Sequence, residues 1–224
     1  MVRTASLAAA AFFAITGTAA AAPAVTVDRQ CYGHLPSRGS EPISAVVTGG
    51  TPGADFNLLA RGRSGQTVGS TSGTFDAAGT ANAQILGVRP PSGTTQPTKG
   101  ERITFVVQDT GTQTETQSAS ALVTTISMSV SSKPRNPRLP RTIKVSGGRV
   151  FARKTLYGFV TKPGSGRVLR RVRVGKANLC GYASTKKVVA PRGAGAGNFR
   201  IYVNPGTKLN KPNAVYFSFR IFRT

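Results

Sequence analysis

Arg167, Arg171 and Arg173 alternate with Val168, Val172 and Val174. On a β-strand that spacing puts the guanidinium groups on one face and the valines in a core. Guanidinium groups in a row can hold the charges of an anionic partner. Lys186-Lys187 and the residues Lys133, Arg135, Arg138 and Arg141 extend the basic set, and Tyr157, Tyr202 and Tyr216 offer rings for stacking. Between Ser131 and Thr224 the chain carries 22 Lys plus Arg and no Asp or Glu. Between Val25 and Val130 it carries seven basic and seven acidic residues. All but one of the excess positive charges therefore lie in the second half. A segment with no acidic residue repels itself, a cost that an anionic partner offsets. Nucleic acid, an anionic cell-wall polymer and an anionic lipid surface all fit that description.

Other reactive residue types are too few or too scattered for catalysis. His34 is the only histidine, and with Cys31 and Cys180 it exhausts the nitrogen and sulfur ligands. Cys31 and His34 are three residues apart, whereas a thiol nucleophile and its base normally come from distant segments. No serine lies in a G-x-S-x-G elbow. His34 is expected in a loop beside a strand end. Asp55, Asp76 and Asp109 fall at turns, where a carboxylate caps backbone N–H groups. The Gly193-Ala194-Gly195-Ala196-Gly197 run lacks the Lys-Ser/Thr ending of a phosphate loop and reads as a hairpin tip. No enzyme, metal or cofactor is expected.

The elements that must position the basic residues are strands. Gly, Thr, Ser, Val and Pro dominate, and beyond the N-terminus no long stretch has a 3.6-residue apolar period. Met1–Ala21 has Arg3, an apolar run Leu7–Ile15 and alanines at the cleavage position, the layout of a secretory signal peptide. Residues 22–130 are expected to form a neutral β-sandwich, with strands at Val25–Val27, Ile43–Thr48, Phe56–Ala60, Gln66–Thr71, Ala81–Leu86, Ile103–Gln108 and Ala119–Val130. Ser131–Pro140 carries three prolines and reads as a stiff linker. Residues 141–224 are expected to form a second, basic sandwich, with strands at Thr142–Val145, Thr155–Val160, Val168–Val174, Thr185–Val189, Phe199–Val203 and Ala214–Phe222. In the last, Val215, Phe217, Phe219 and Ile221 face one side and Tyr216, Ser218 and Arg220 the other.

Each half holds one cysteine. In an oxidising compartment an even count favours a bond between Cys31 and Cys180, against two buried thiols or an intermolecular bridge. The Cys31-Tyr32 pair, the Thr51-Pro52-Gly53-Ala54 turn, the Asp76-Ala77-Ala78-Gly79 turn and the closing Phe219-Arg220-Ile221-Phe222 resemble secreted bacterial two-module immunoglobulin-like proteins of IPT and neocarzinostatin-like type. The resemblance implies tandem immunoglobulin-like β-sandwiches and supplies no catalytic residue. The resulting expectation is a secreted, non-enzymatic binding or structural protein of the cell envelope. The alternative is a carrier of a small apolar ligand within a neocarzinostatin-like sandwich.

Overall fold

The computed structural model describes residues 22–222 apart from 38, 135 and 137. The expected signal peptide, Met1–Ala21, and the basic residue Arg135 lie outside the described residues. The chain is nearly all β. The first half contains β1 (Ala24–Val27), β2 (Cys31–Leu35), β3 (Gly39–Ser40), β4 (Ile43–Thr48), β5 (Asp55–Arg61), β6 (Thr67–Thr74), β7 (Ala81–Ile85), β8 (Glu101–Asp109) and β9 (Thr114–Thr125). The second contains β10 (Ser127–Val130), β11 (Arg141–Ser146), a single helical turn α1 (Gly148–Phe151), β12 (Thr155–Thr161), β13 (Arg170–Lys176), β14 (Tyr182–Lys187), β15 (Gly197–Pro205) and β16 (Val215–Ile221).

One strand order occurs twice. In the first half, β1-β4-β7 face a sheet that runs β3-β2-β9-β8-β5-β6. In immunoglobulin lettering these are A-B-E against G-F-C-C′, with β2 added in parallel beside β9. In the second half, β10-β11-β14 face β13-β12-β15-β16, again A-B-E against C′-C-F-G. Buried side chains divide in the same way. Ile43, Leu58, Ile85, Ile103 and Phe105 belong to one hydrophobic cluster. Ile143, Leu156, Val160, Phe199 and Ile201 belong to the other. The alternation expected for the last strand is present: Ile221 is buried, Val215, Phe217 and Phe219 pack against the cluster, and Tyr216, Ser218 and Arg220 are exposed.

The expected boundary between the halves moves. The run Ala119–Val130, read as one strand, is two. Val123 packs in the first cluster, while Met128 and Val130 pack in the second. The chain changes sheets at Ile126, whose N–H donates to the His34 carbonyl at 2.7 Å. β10 then pairs with β11 from Ser127↔Ser146 to Val130↔Ile143. Residues 131–140 therefore connect two paired strands of one sheet, at the end of the second sandwich away from the first. They do not link the sandwiches.

The junction itself is short and cross-linked. Cys31 and Cys180 form a disulfide with Cα atoms 5.4 Å apart. Beside it, Thr124 Oγ1 and Ser146 Oγ lie 2.9 Å apart, and Asn178 Nδ2 donates to the Lys99 carbonyl at 2.8 Å. Gly100 has φ +108°, and a Cβ there would sit 2.7 Å from Cys180 Sγ, so only glycine lets the two halves approach at this point.

The acidic residues of the first half are structural. Asp76 caps its turn by accepting from the N–H groups of Ala78 and Thr80. Asp55 instead accepts from the Thr74 hydroxyl on the neighbouring strand, so it braces a cross-strand pair and not a turn. Asp109 is buried and accepts from Thr51 N–H, Thr51 Oγ1 and Gly111 N–H at 2.8–2.9 Å. Burial alone would raise its pKa, but these donors outweigh it and hold the carboxyl below its ordinary value. A lowered folded-state pKa contributes stability that is present above the unfolded value, about 3.9. That stability is lost as pH falls through the folded-state pKa. Asp109→Asn is expected to cost about 2 kcal/mol at pH 7. It should also reduce the stability lost on acidification below about pH 4. Urea titrations at neutral and acid pH test both, and an unchanged acid limb would remove Asp109 as its source.

Candidate functional site

Exposed and partly exposed basic and aromatic residues gather on the outer face of the β13-β12-β15-β16 sheet. Its inner face carries Val172 and Val174 of β13 and Val160, Ile201 and Val203 of β12 and β15, all buried. Strand alternation then turns the intervening residues outward. Arg171 pairs with Phe159, and Arg173 with Tyr157. On the other side of β12, Phe159 pairs with Tyr202, Tyr157 with Asn204 and Thr161 with Arg200. Tyr202 in turn pairs with Tyr216, and Arg200 with Ser218. Directly opposed residues share a face. One surface thus carries Arg171, Arg173, Arg200 and Arg220 interleaved with Tyr157, Tyr202 and Tyr216.

The rings and cations on this surface are in contact. The Tyr202 and Tyr216 rings lie 5.6 Å apart, and Tyr216 is 55% exposed. The Arg200 guanidinium sits 5.3 Å from the Tyr216 centroid, and Lys211 Nζ sits 5.8 Å from that of Tyr202. Such contacts hold the long side chains against the sheet, which lowers the entropy cost of using them. Tyr202 beside Arg200 raises the guanidinium pKa further through a hydrogen bond and its charge. At one edge a shallow groove has Phe159 in its floor and Val168, Leu169, Arg171, Thr207 and Leu209 around it. Arg171 Nη1 donates to the Thr207 carbonyl at 3.4 Å, tying the 206–209 loop to this edge.

Carboxylates are far scarcer here than in the first half. Among the described residues, the ion pairs Arg29–Asp28, Arg29–Glu41 and Arg61–Glu115 all lie in the first sandwich. The second sandwich supplies no acidic residue of its own.

The basic residues around β13 and β14 divide among four places. Arg171 and Arg173 stand together on this face. Arg167 precedes β13, in the hairpin loop whose Ser165 side chain accepts from its N–H at 3.0 Å. Lys186 and Lys187 lie on β14, in the opposite sheet, paired with Thr142 and Arg141. Arg170 points to the core side but stops at its rim, where Nη1 donates to the Ala190 carbonyl at 2.8 Å. Arg200, Arg220 and Lys211 were not singled out. The signal for the first two was the alternation in Phe199-Arg200-Ile201-Tyr202 and Tyr216-Phe217-Ser218-Phe219-Arg220.

His34 is on β2 and not in a loop. Its Nδ1 lies 2.8 Å from Ser40 Oγ, and burial followed by the charge of Arg89 lowers its pKa. Cys31 is held in the disulfide. Among the described residues, no group of three or more His, Cys, Asp or Glu is placed to hold a metal ion. None of their helices is long and apolar enough to cross a membrane.

No family model and no curated protein matches the chain. Solved structures do. Macromomycin is 21% identical, with 46% of this chain and 99% of that one covered at a TM-score of 0.33. The C-terminal 282-residue fragment of intimin, solved with its receptor's binding domain, is 12% identical, with 90% and 64% covered at 0.38. The BSP domain of a biofilm-associated protein is 14% identical, with 88% and 29% covered at 0.29. The repeated strand order, and not these likenesses, assigns the immunoglobulin-like fold.

Proposed function

We propose that this is a secreted, non-enzymatic binding protein of the cell envelope whose second sandwich holds an anionic polymer on the outer face of β13-β12-β15-β16. The observation that carries this reading is the interleaving of Arg171, Arg173, Arg200 and Arg220 with Tyr157, Tyr202 and Tyr216 on one sheet face. Guanidinium groups engage the repeating charges, and the tyrosines stack on the sugars or bases between them. The disulfide suits an oxidising compartment, which favours envelope polymers over intracellular nucleic acid.

The test is binding of the disulfide-bonded chain to a poly(glycerol phosphate), a single-stranded oligonucleotide and phosphatidylglycerol vesicles at two salt concentrations. With six or more contacts, affinity is expected to fall about a thousandfold between 50 and 200 mM salt. Tightest binding to the poly(glycerol phosphate) supports the envelope assignment. No binding to any of the three at low salt removes the polymer reading. A small apolar molecule carried through purification and seen by native mass spectrometry would support the carrier alternative.

A further inference from the structure

We infer that the second sandwich also contains a discrete pocket for a phosphoryl group, separate from the sheet face. The pocket is a cleft of about 350 Å³. It lies at the pole farthest from the first sandwich, where β11, β13 and β15 begin and β16 ends. Arg138, Arg170 and Arg192 line it together with Val188, Ala190 and Ile221. The three arginines come from three separate segments. Arg138 lies in the β10–β11 connection and Arg170 opens β13. Arg192 lies in the β14–β15 connection, a crossover between sheets and not the expected hairpin tip.

The arrangement is built and not incidental. Arg170 is half-buried, and its bond to the Ala190 carbonyl fixes the guanidinium while using one of five N–H donors. Ala190 and Ile221 are buried and give the cleft an apolar floor, against which charge interactions are stronger than in open water. Gly193, with φ +66°, and Ala194 also line the cleft and place only small groups along it. Three arginines lining one cleft repel one another, and the residues lining the cleft include no carboxylate.

Three guanidinium forks select the anion. A carboxylate carries one charge and two oxygens, which a single fork satisfies. A phosphate monoester carries up to two charges and presents three terminal oxygens, one for each of the three arginines that line the cleft. The ligand class is therefore a phosphate monoester with a small apolar or sugar substituent against Val188 and Ile221. A free metabolite and the phosphorylated end of a polymer share that chemistry.

The test is titration of the intact protein with phenyl phosphate and benzoate at 150 mM salt, where loose surface charge is largely screened. Arg138 and Arg192 are exposed, so Arg138→Gln and Arg192→Gln leave the loop anchor of Arg170 in place. Saturable phenyl phosphate binding is expected, tighter than benzoate and weakened about tenfold by either substitution. Arg200→Gln/Arg220→Gln, on the sheet face, should leave it unchanged, so failure of the polymer reading and failure of the pocket are distinguishable. Non-saturable binding, or an equal loss from Lys186→Gln on β14, overturns the inference. A glycerol phosphate oligomer ending in a phosphate monoester identifies the polymer end as the source if it competes better than phenyl phosphate. Weaker competition identifies a free metabolite.

Discussion

Replacing Cys31 and Cys180 together by alanine is expected to lower the stability of the protein by up to about 5 kcal/mol. The two residues are 149 apart in sequence, and in the chain-entropy model a closed loop of that length restricts the unfolded chain strongly. The bridge joins β2 of the first sandwich to the turn before β14 of the second. It therefore tethers whichever sandwich unfolds first to the one still folded. Without it the sandwiches are held by the Ile126 connection and by local contacts such as Thr124–Ser146 and Asn178–Lys99. Single hydrogen bonds of this kind contribute about 1 kcal/mol each. The double variant should consequently lose the cooperativity between the two cores, and denaturant unfolding should resolve into two transitions. Tyr32, buried in the first sandwich, belongs to a cluster distinct from that of Phe151 and Phe199, so calorimetry and near-ultraviolet dichroism have probes on both sides. One transition at an unchanged midpoint would show that the junction is held by packing alone. Protease susceptibility is informative too. With the linker placed at Ile126, cleavage in the double variant should concentrate near the junction and not be confined to residues 131–140.

How much of this architecture was legible follows from the range over which each signal acts. β4 was read residue for residue, because Ile43, Ala45 and Val47 alternate with polar or exposed neighbours and turns bound the segment. β16 was legible for the same reason. β2 was missed. Its Gly33 and His34 carry little strand preference, and the segment is held by parallel pairing to β9, a partner about 90 residues away. The split between β9 and β10 was hidden because Thr124, Thr125, Ile126 and Ser127 sustain a strand-like pattern through the point where the chain changes sheets. Only the partner of each segment, β8 or β11, reveals the break. The proline-rich stretch was misplaced by the same limitation: its stiffness was evident, but not that its ends are paired strands. The arginines of β13 were legible from their local alternation. Their neighbours were not, because Arg200 and Arg220 join them only through the β12–β15 and β15–β16 registers. Lys186 and Lys187 are both exposed, but they lie at the end of β14 in the other sheet, a placement that only the β11–β14 register reveals.

That distinction gives the sharpest expectation for function. Arg171→Gln/Arg173→Gln/Arg200→Gln/Arg220→Gln removes four charges from one face. Lys144→Gln/Lys154→Gln/Lys186→Gln/Lys187→Gln removes four exposed charges from elsewhere on the same sandwich, so the net charge of the two variants is equal. If binding follows net charge, the two must weaken it alike. If the polymer lies along β13-β12-β15-β16, only the first variant loses direct contacts. For a single-stranded polyanion each lost contact flattens the dependence of log affinity on log salt by about 0.7. Four lost contacts should therefore reduce that slope by nearly 3, with affinity at low salt down by two orders of magnitude or more. The second variant should keep its slope and lose affinity only through the weakened long-range field, which salt screens. The tyrosines provide an independent measure. Tyr216 is more than half exposed and packs on Tyr202 and Arg200, so Tyr216→Ala removes a stacking surface without opening a core. It should weaken binding by about 1–3 kcal/mol while leaving the salt slope intact, because no charge has been lost. A tyrosine variant without effect, together with equal losses from the two charge variants, would reduce the second sandwich to a diffuse basic surface. A salt slope lowered only by the face variant, with affinity lowered at constant slope by Tyr216→Ala, would locate charge recognition and stacking on the same four strands.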